Sequence, residues 1–325
     1  MDEEEGLIYA GILDGKGGAR RIGWNEIAEW REQDGPIWIH LDYSQPTARR
    51  WVLEQSGIDE FAAQALLSEE TRPRATNIGD ATLVFLRGVN LNPGSQPEDM
   101  VSIRIWVDKH RIVTARRRTL LSVTDVLQTF ESHAGPKNAG SCLARLIGSL
   151  IARMENVIDD LQDRAAQAEE NVLEGESGAE LRNVLASIRR ETITLRRYLS
   201  PQREAMTRLY TDEHATIGAR ERSRLRESAD QLQRYLEDLD SVRERAMVTH
   251  EELANRLSEQ MNARIYLLSL VAALFLPLSF FTGLLGINVG GIPGTDNKAA
   301  FAIVVGFLVL VIGLQLAYFK LRKWF

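Results

Sequence analysis

Residues 265–287 read IYLLSLVAALFLPLSFFTGLLGI, and residues 299–319 read AAFAIVVGFLVLVIGLQLAYF. Neither run contains a charged side chain, and Gln315 is the most polar member of the second. At ~1.5 Å of rise per residue, each run is long enough to cross a bilayer core of roughly 30 Å. Between them lies the short loop Gly286 to Gly294, with its Gly-Gly pair and Pro293. Two membrane-spanning helices joined outside the bilayer are therefore expected at residues 265–325, with an outer loop over 286–298.

The residues before the first run are of a different kind. Of 45 acidic residues only Asp296 follows Arg264, and of 39 basic residues only Lys298, Lys320, Arg322 and Lys323 do. The net charge of −6 thus comes from the preceding polar body. An acidic body argues against nucleic acid as a partner and is compatible with attracting cations, although ordinary solubilising charge explains it equally. The single cysteine, Cys142, excludes a disulfide framework and fits a reducing compartment. The opening Met-Asp-Glu-Glu-Glu-Gly lacks the apolar run of a signal peptide. Basic residues flank the spans at Arg256, Arg264, Lys320, Arg322 and Lys323, whereas the loop has Lys298 offset by Asp296. The excess of Lys and Arg inside then puts both termini in the cytoplasm. Tyr318, Trp324 and Phe325 suit an interfacial anchor.

The polar body divides in two. Residues 1–135 read as a mixed α/β domain. Val101, Ile103, Ile105 and Val107 alternate with Ser102, Arg104, Trp106 and Asp108, the period of a half-buried strand. Asp108-Lys109-His110 turns into a second strand, Arg111 to Ala115. Ile37 to Tyr43 and Thr82 to Leu86 are further strands, with short helices over Thr47 to Ser56 and Asp59 to Glu69. Asn92-Pro93-Gly94-Ser95 reads as a loop.

Residues 136–264 read as a helical stalk. Leu143, Leu146, Ile147, Leu150, Met154, Val157, Ile158 and Leu161 form one apolar face at helical spacing, and Leu181, Leu185, Ile188, Leu195 and Leu199 form another. Gly175 and Gly178 separate the two. Ser200-Pro201 resembles a helix cap with proline at the first position, so it restarts or kinks the second helix. In the third, Leu225, Leu232, Leu239, Ala246 and Leu253 recur every seven residues. Ala229, Leu236 and Leu257 fill a second seam that Arg243 and His250 interrupt. After Pro201 the next proline is Pro277, so one helix is expected from about Ala219 to Leu285, ~100 Å long. Such a helix is either a pore-lining stalk or a spacer that holds the domain off the membrane.

Catalytic signatures are missing. His40, His110, His133, His214 and His250 are scattered, without Cys or His partners at ligand spacing. His250-Glu251-Glu252 begins like a zinc-protease helix, but Ala254 stands where the second histidine belongs. There is no phosphate-binding glycine loop and no nucleophile elbow; Gly15-Lys16-Gly17-Gly18 is a turn. Asp159-Asp160, Glu169-Glu170 and Glu251-Glu252 read as solvated helix faces and Arg116-Arg117-Arg118 as surface charge. The chain is not expected to be an enzyme or to hold a resident cofactor.

The first span carries a pattern of its own. Asn262, Ile265, Leu268, Ser269, Ala272, Leu276, Ser279 and Gly283 fall along one stripe, small or mildly polar, away from Phe275, Phe280 and Phe281. Such a stripe lines a pore, or it packs against the second span, where Gly306 and Gly313 share a face. Two helices cannot enclose a lumen, so conduction demands self-association. No acidic or basic side chain lies inside either span, and no proton relay of carboxylates is visible.

The segment Phe275-Leu276-Pro277-Leu278-Ser279-Phe280-Phe281-Thr282-Gly283-Leu284-Leu285-Gly286-Ile287-Asn288 resembles the end of the first span in the CorA-type divalent-cation transporters, which carry Gly-Met-Asn at this place. With Ile287 in the middle and Val-Gly-Gly-Ile-Pro-Gly following, it is similar to the ZntB branch, associated with zinc. Thr71-Arg72-Pro73-Arg74 and Arg196-Arg197-Tyr198-Leu199-Ser200-Pro201-Gln202-Arg203 look like this branch too, so the resemblance spans essentially the whole chain.

That resemblance implies a funnel-shaped homopentamer in the plasma (bacterial inner) membrane. Its cytoplasmic part would be an α+β domain, an αβα sandwich, followed by a long helical stalk and two C-terminal transmembrane helices. Gly286, Ile287 and Asn288 would form the selectivity filter at the outer mouth, with Asn288 meeting the metal through its hydrating water. Asn262, Ile265, Leu268, Ala272, Leu276, Ser279 and Gly283 would line the pore, with the leucines and Ile265 as apolar constrictions. The cargo implied is zinc taken up, with proton coupling. A magnesium or cobalt channel of the same fold, or a membrane-anchored sensor or scaffold, is the alternative. The pore offers no His, Cys or carboxylate, so zinc preference comes from the resemblance and not from these side chains.

Overall fold

The computed structural model describes residues 6–69, 72–176, 178–212, 217–287, 294 and 297–322. Its contacts form two compact units, residues 1–250 and 251–325.

The first unit is built on one seven-stranded sheet. Its strands are β1 (Leu7–Leu13), β2 (Ala19–Arg21), β3 (Ile37–Asp42), β4 (Arg74–Ile78), β5 (Ala81–Gly88), β6 (Val101–Val107) and β7 (Arg111–Arg116), in the order β2-β1-β3-β7-β6-β5-β4. Only β3 and β7 run parallel, with Ile39 opposite Val113; the other neighbours are antiparallel. The alternation in β6 decides the two faces. Arg104 and Trp106 lie opposite Phe85 and Leu83 and share a face with Ile37, Ile39, Leu41, Val113 and Ala115. That face closes on the short helices α1 (Trp24–Glu29), α2 (Pro46–Arg50, continued as a π turn over Trp51–Gln55) and α3 (Glu60–Leu66) through Ile27, Trp51, Val52, Ala62, Ala63 and Leu66. The other face, with Trp38, His40, Ile112 and Thr114, meets α4 (Leu121–Glu131) and α5 (Ala139–Ala152). Burial on both faces explains why the central strands are apolar throughout, and the result is an αβα sandwich.

Three of the polar side chains buried with the sheet, Trp38, His40 and Arg104, have partners that fix them. Trp38 Nε1 donates to Thr114 Oγ1 at 2.9 Å, and His40 Nδ1 lies 2.8 Å from the same hydroxyl. Burial pulls the His40 pKa down to about 3, with Arg116 as a further cause, so the ring stays neutral and structural. The Arg104 guanidinium donates to the Ser68 and Glu69 carbonyls and lies 3.8 Å over the Tyr43 ring. Arg116 is also buried, so the Arg116-Arg117-Arg118 run is surface charge only at its last two members.

Helices α4 and α5 are tied by Asp125. It accepts from Arg153 at 2.6 and 2.5 Å and from Ser149 at 2.7 Å. The Arg153 guanidinium holds this carboxyl below its ordinary 3.8. A carboxyl depressed in the fold contributes stability above its ordinary pKa and loses it as pH falls through the folded value. Asp125→Asn should therefore lower the thermal midpoint at neutral pH by on the order of 2 °C. The deficit should vanish in acid, well below 3.8; a deficit that persists there would assign it to packing instead of charge.

Three helices complete this unit: α6 (Glu155–Leu173), α7 (Ala179–Thr211) and the start of α8 (Ala219–Gly286). Arg164 grips Glu191 with two bonds of 2.7 and 2.9 Å, joining α6 to α7. Arg196 pairs with Asp240, joining α7 to α8.

The structure corrects the expected helices in two places. The apolar face Leu143 to Leu161 is not one helix; a turn at Arg153–Met154 divides it between α5 and α6. All these side chains but Val157 are still buried, because α6 resumes in a register that continues the core. Ser200-Pro201 neither caps nor restarts a helix, since Pro201 lies inside α7. Buried packing on both sides, at Leu195, Leu199, Ala205 and Met206, carries the helix through it. Strands β1, β2 and β4 went unread: β4, Arg-Ala-Thr-Asn-Ile, has no apolar alternation and is held as an edge by pairing with β5 and contact with α7.

Helix α8 is continuous from Ala219 to Gly286. Leu225, Leu232, Leu239, Ala246 and Leu253 are buried, as are Ala229 and Leu236. Where Arg243 and His250 interrupt the second seam, the buried residues are Val242 and Thr249.

Candidate functional site

Within the second unit, the C-terminal part of α8 and α9 (Ala300–Leu321) are the two helices long and apolar enough to cross a membrane. The ends carry the polar groups: Arg256 is paired with Glu252 at 2.7 Å, and Arg322 lies 5.8 Å from the Tyr318 ring centre.

The face that α8 turns toward α9 is well defined. Leu270 is buried, and Leu274, Pro277, Leu278 and Phe281 are partly covered. On α9 the covered residues are Val304, Leu308, Val311, Ile312, Gln315 and Phe319, again at helical spacing. Phe281 meets Phe307 edge-on at 5.1 Å, and Gln315 Nε2 donates to the Ala273 carbonyl at 3.3 Å.

Asn262, Ile265, Leu268, Ser269, Ala272, Leu276, Ser279 and Gly283 are all exposed. Leu268 and Leu276 are 70% and 69% exposed, against 8% for Leu270. At ~100° per residue, the mean direction of this stripe lies about 160° from that of Leu270, Leu274 and Phe281. The stripe therefore does not pack against the second span. The glycines expected to receive it are elsewhere as well: a Cβ at Gly306 or Gly313 would meet nothing within 4 Å, and both residues point away from the covered face of α9.

The stripe runs to Gly286, where α8 ends, and Ile287 follows it. Asn288, with the loop residues Asp296 and Thr295, lies outside the described residues, as do Thr71, His214, Lys323, Trp324 and Phe325. A helix terminus leaves its last carbonyls without intrahelical donors and carries about half a negative charge. The end of α8 at Gly286 thus offers oxygen acceptors and negative potential without a carboxylate. Among the described residues no three His, Cys, Asp or Glu side chains converge on a metal-sized site. What this surface can do chemically is accept hydrogen bonds from water at its ends and present a weakly polar, uncharged track between them. Sequence reasoning missed the partner of Gln315, for which Pro277 was the available signal.

Known proteins match nearly the whole length of the chain. The family model described as "CorA-like Mg2+ transporter protein" matches residues 33–321. A relative named "Divalent cation transporter CmaX", from Pseudomonas aeruginosa, is 40% identical over 324 residues, covering 99% of this chain and 98% of that one. A "Zinc transport protein ZntB" from Pectobacterium carotovorum subsp. carotovorum is 36% identical over 322 residues, covering 99% and 97%. The solved structure of full-length CmaX superposes with a TM-score of 0.87, covering 99% of each chain at 40% identity. With its αβα sandwich, its unbroken α8 and its two apolar C-terminal helices, this chain belongs to the CorA-like family of divalent-cation transporters.

Proposed function

We propose that this chain assembles as a homopentamer in the bacterial inner membrane and passes divalent cations, zinc foremost, along a pore lined by the first span. The observation that carries this reading is the stripe Asn262, Ile265, Leu268, Ala272, Leu276, Ser279 and Gly283, uncharged and exposed, set opposite the face that binds α9. A weakly polar face on a membrane helix that its own hairpin leaves uncovered is explained by copies of itself around water. Residues 1–135 form the cytoplasmic α/β domain, 136–264 the stalk and 265–325 the hairpin, with both termini inside.

Selectivity is assigned to Gly286, Ile287 and Asn288. Several α8 ends around one axis add their carbonyl dipoles, so a hydrated dication is attracted without a charged ligand. Stripping water from a dication is costly and nothing in the stripe replaces it, so the ion travels largely hydrated. Zinc is supported by the names of relatives and by Ile287 in the motif, and uptake is driven by the proton gradient in this reading. Zinc flux into vesicles holding the purified protein, with and without a pH gradient, tests it. No flux under either condition would leave a membrane-anchored scaffold. A second reading, a magnesium or cobalt channel, is favoured by the absence of nitrogen and sulfur ligands along the stripe. Ion competition in the same vesicles separates the two.

Topology has its own test. Cys142 is fully buried, and burial pushes its thiol pKa up, so it should stay inert toward an impermeant thiol reagent in the folded protein. Thr295→Cys should label in intact cells, and Trp324→Cys should label only after the membrane is opened. The reverse pattern would invert the orientation.

A further inference from the structure

Pro277 lies inside α8 and has no N–H to give. In an α-helix that N–H would bond the carbonyl four residues earlier, which is Ala273. The Ala273 carbonyl is thus the acceptor that the proline orphans, at a depth where no water replaces the donor. Gln315 Nε2 donates to this same carbonyl at 3.3 Å, from the other span. Gln315 is the polar exception in a run of apolar residues, and a polar side chain there is costly without a partner. Only the NH2 end of an amide can serve a carbonyl, so the chemistry fixes which way the side chain faces. Its other end, Oε1, is covered and makes no hydrogen bond among the described residues. The amide is therefore held for its donor, at the expense of its acceptor.

We propose that Gln315 is a positioning residue: its amide supplies the hydrogen bond that Pro277 denies to Ala273 and so locks the second span to the first at the proline. The missing bond lies beside Ala272 and Leu276, both in the exposed stripe. The lock thereby sets the angle between the inner half of the stripe (Ile265, Leu268, Ala272) and the outer half (Leu276, Ser279, Gly283). The inference rests on both helices lying in lipid and not on which ion passes.

The test is a double-mutant cycle on the full-length protein in lipid nanodiscs and vesicles. Gln315→Leu should lower the thermal midpoint and cut flux per assembled oligomer about three- to tenfold, the range of a single interhelical hydrogen bond in a membrane. Gln315→Asn, one methylene short, should behave the same way. In the Pro277→Ala background the alanine's N–H returns the helical bond to Ala273, and Gln315→Leu should then cost nothing. Additive losses in the two backgrounds would overturn the proposal. Pro277→Leu serves equally if Pro277→Ala does not assemble, because any residue with an N–H restores the bond. Should neither background assemble, an unchanged midpoint for Gln315→Leu alone would overturn it. The midpoint is read without transport, so a protein that carries no ion still decides the question.

Discussion

Leu276→Ser is expected to raise cation flux per assembled oligomer while eroding discrimination among dications. Leu276 is 69% exposed on the face of α8 opposite the contact with α9. Leu268, two turns earlier and ~12 Å along the axis, shares that face. In the proposed pore these side chains would form apolar rings, and a ring of that kind resists the ion by resisting its water. Serine replaces the isobutyl group with a hydroxyl that bonds water. A barrier lower by about 1–2 kcal/mol gives a flux higher by roughly five- to thirtyfold. The measurement is zinc flux in vesicles, normalised to oligomer counted by mass. If the stripe faces lipid instead, serine exchanges one exposed side chain for another, and flux stays at the wild-type level. Unchanged flux with intact assembly would move Leu276 off the pore.

How far the sequence shows this geometry differs from element to element. The spans were legible because lipid allows few solutions: a charge-free run of that length has to be a helix. The heptads of α8 were legible because that helix buries one side only; the alternation of β6 was legible although both of its faces are buried, because Ser102 and Arg104 interrupt the apolar residues of one of them. Strand β4 was not, because it has no apolar alternation of its own and is held by the adjoining β5 ladder and by α7, far away in sequence. The break at Arg153–Met154 was hidden for the opposite reason, as the core pattern runs through it unchanged. At the site, periodicity gave the stripe but left two readings of what it faces. The contacts Phe281–Phe307 and Gln315–Ala273 put another face of α8 against α9, and both depend on how two helices turn about their own axes. No pattern within one helix contains that angle.

The largest loss is expected from Asn288→Ala. Helix α8 ends at Gly286, and Asn288 follows two residues later in the sequence, at the outer mouth of the proposed pore. From Ile265 to Ile287 every side chain is apolar, aromatic, glycine, proline or hydroxyl, and Asn288 is the first amide to follow. A ring of such amides can turn its oxygens toward the waters of a dication, with each bond strengthened by the ion's charge. Alanine leaves only helix-end carbonyls, and loss of about 1.5–3 kcal/mol of charge-assisted bonding slows capture roughly ten- to a hundredfold. Asn288→Asp supplies the control. It keeps the oxygen and adds charge, so it should hold dications more tightly and still transport them, with saturation at lower concentration. A structural role for the amide predicts a different pair of results, because the aspartate ring would repel itself and both variants would lose assembly. Wild-type flux from an assembled Asn288→Ala oligomer would remove the filter from this residue.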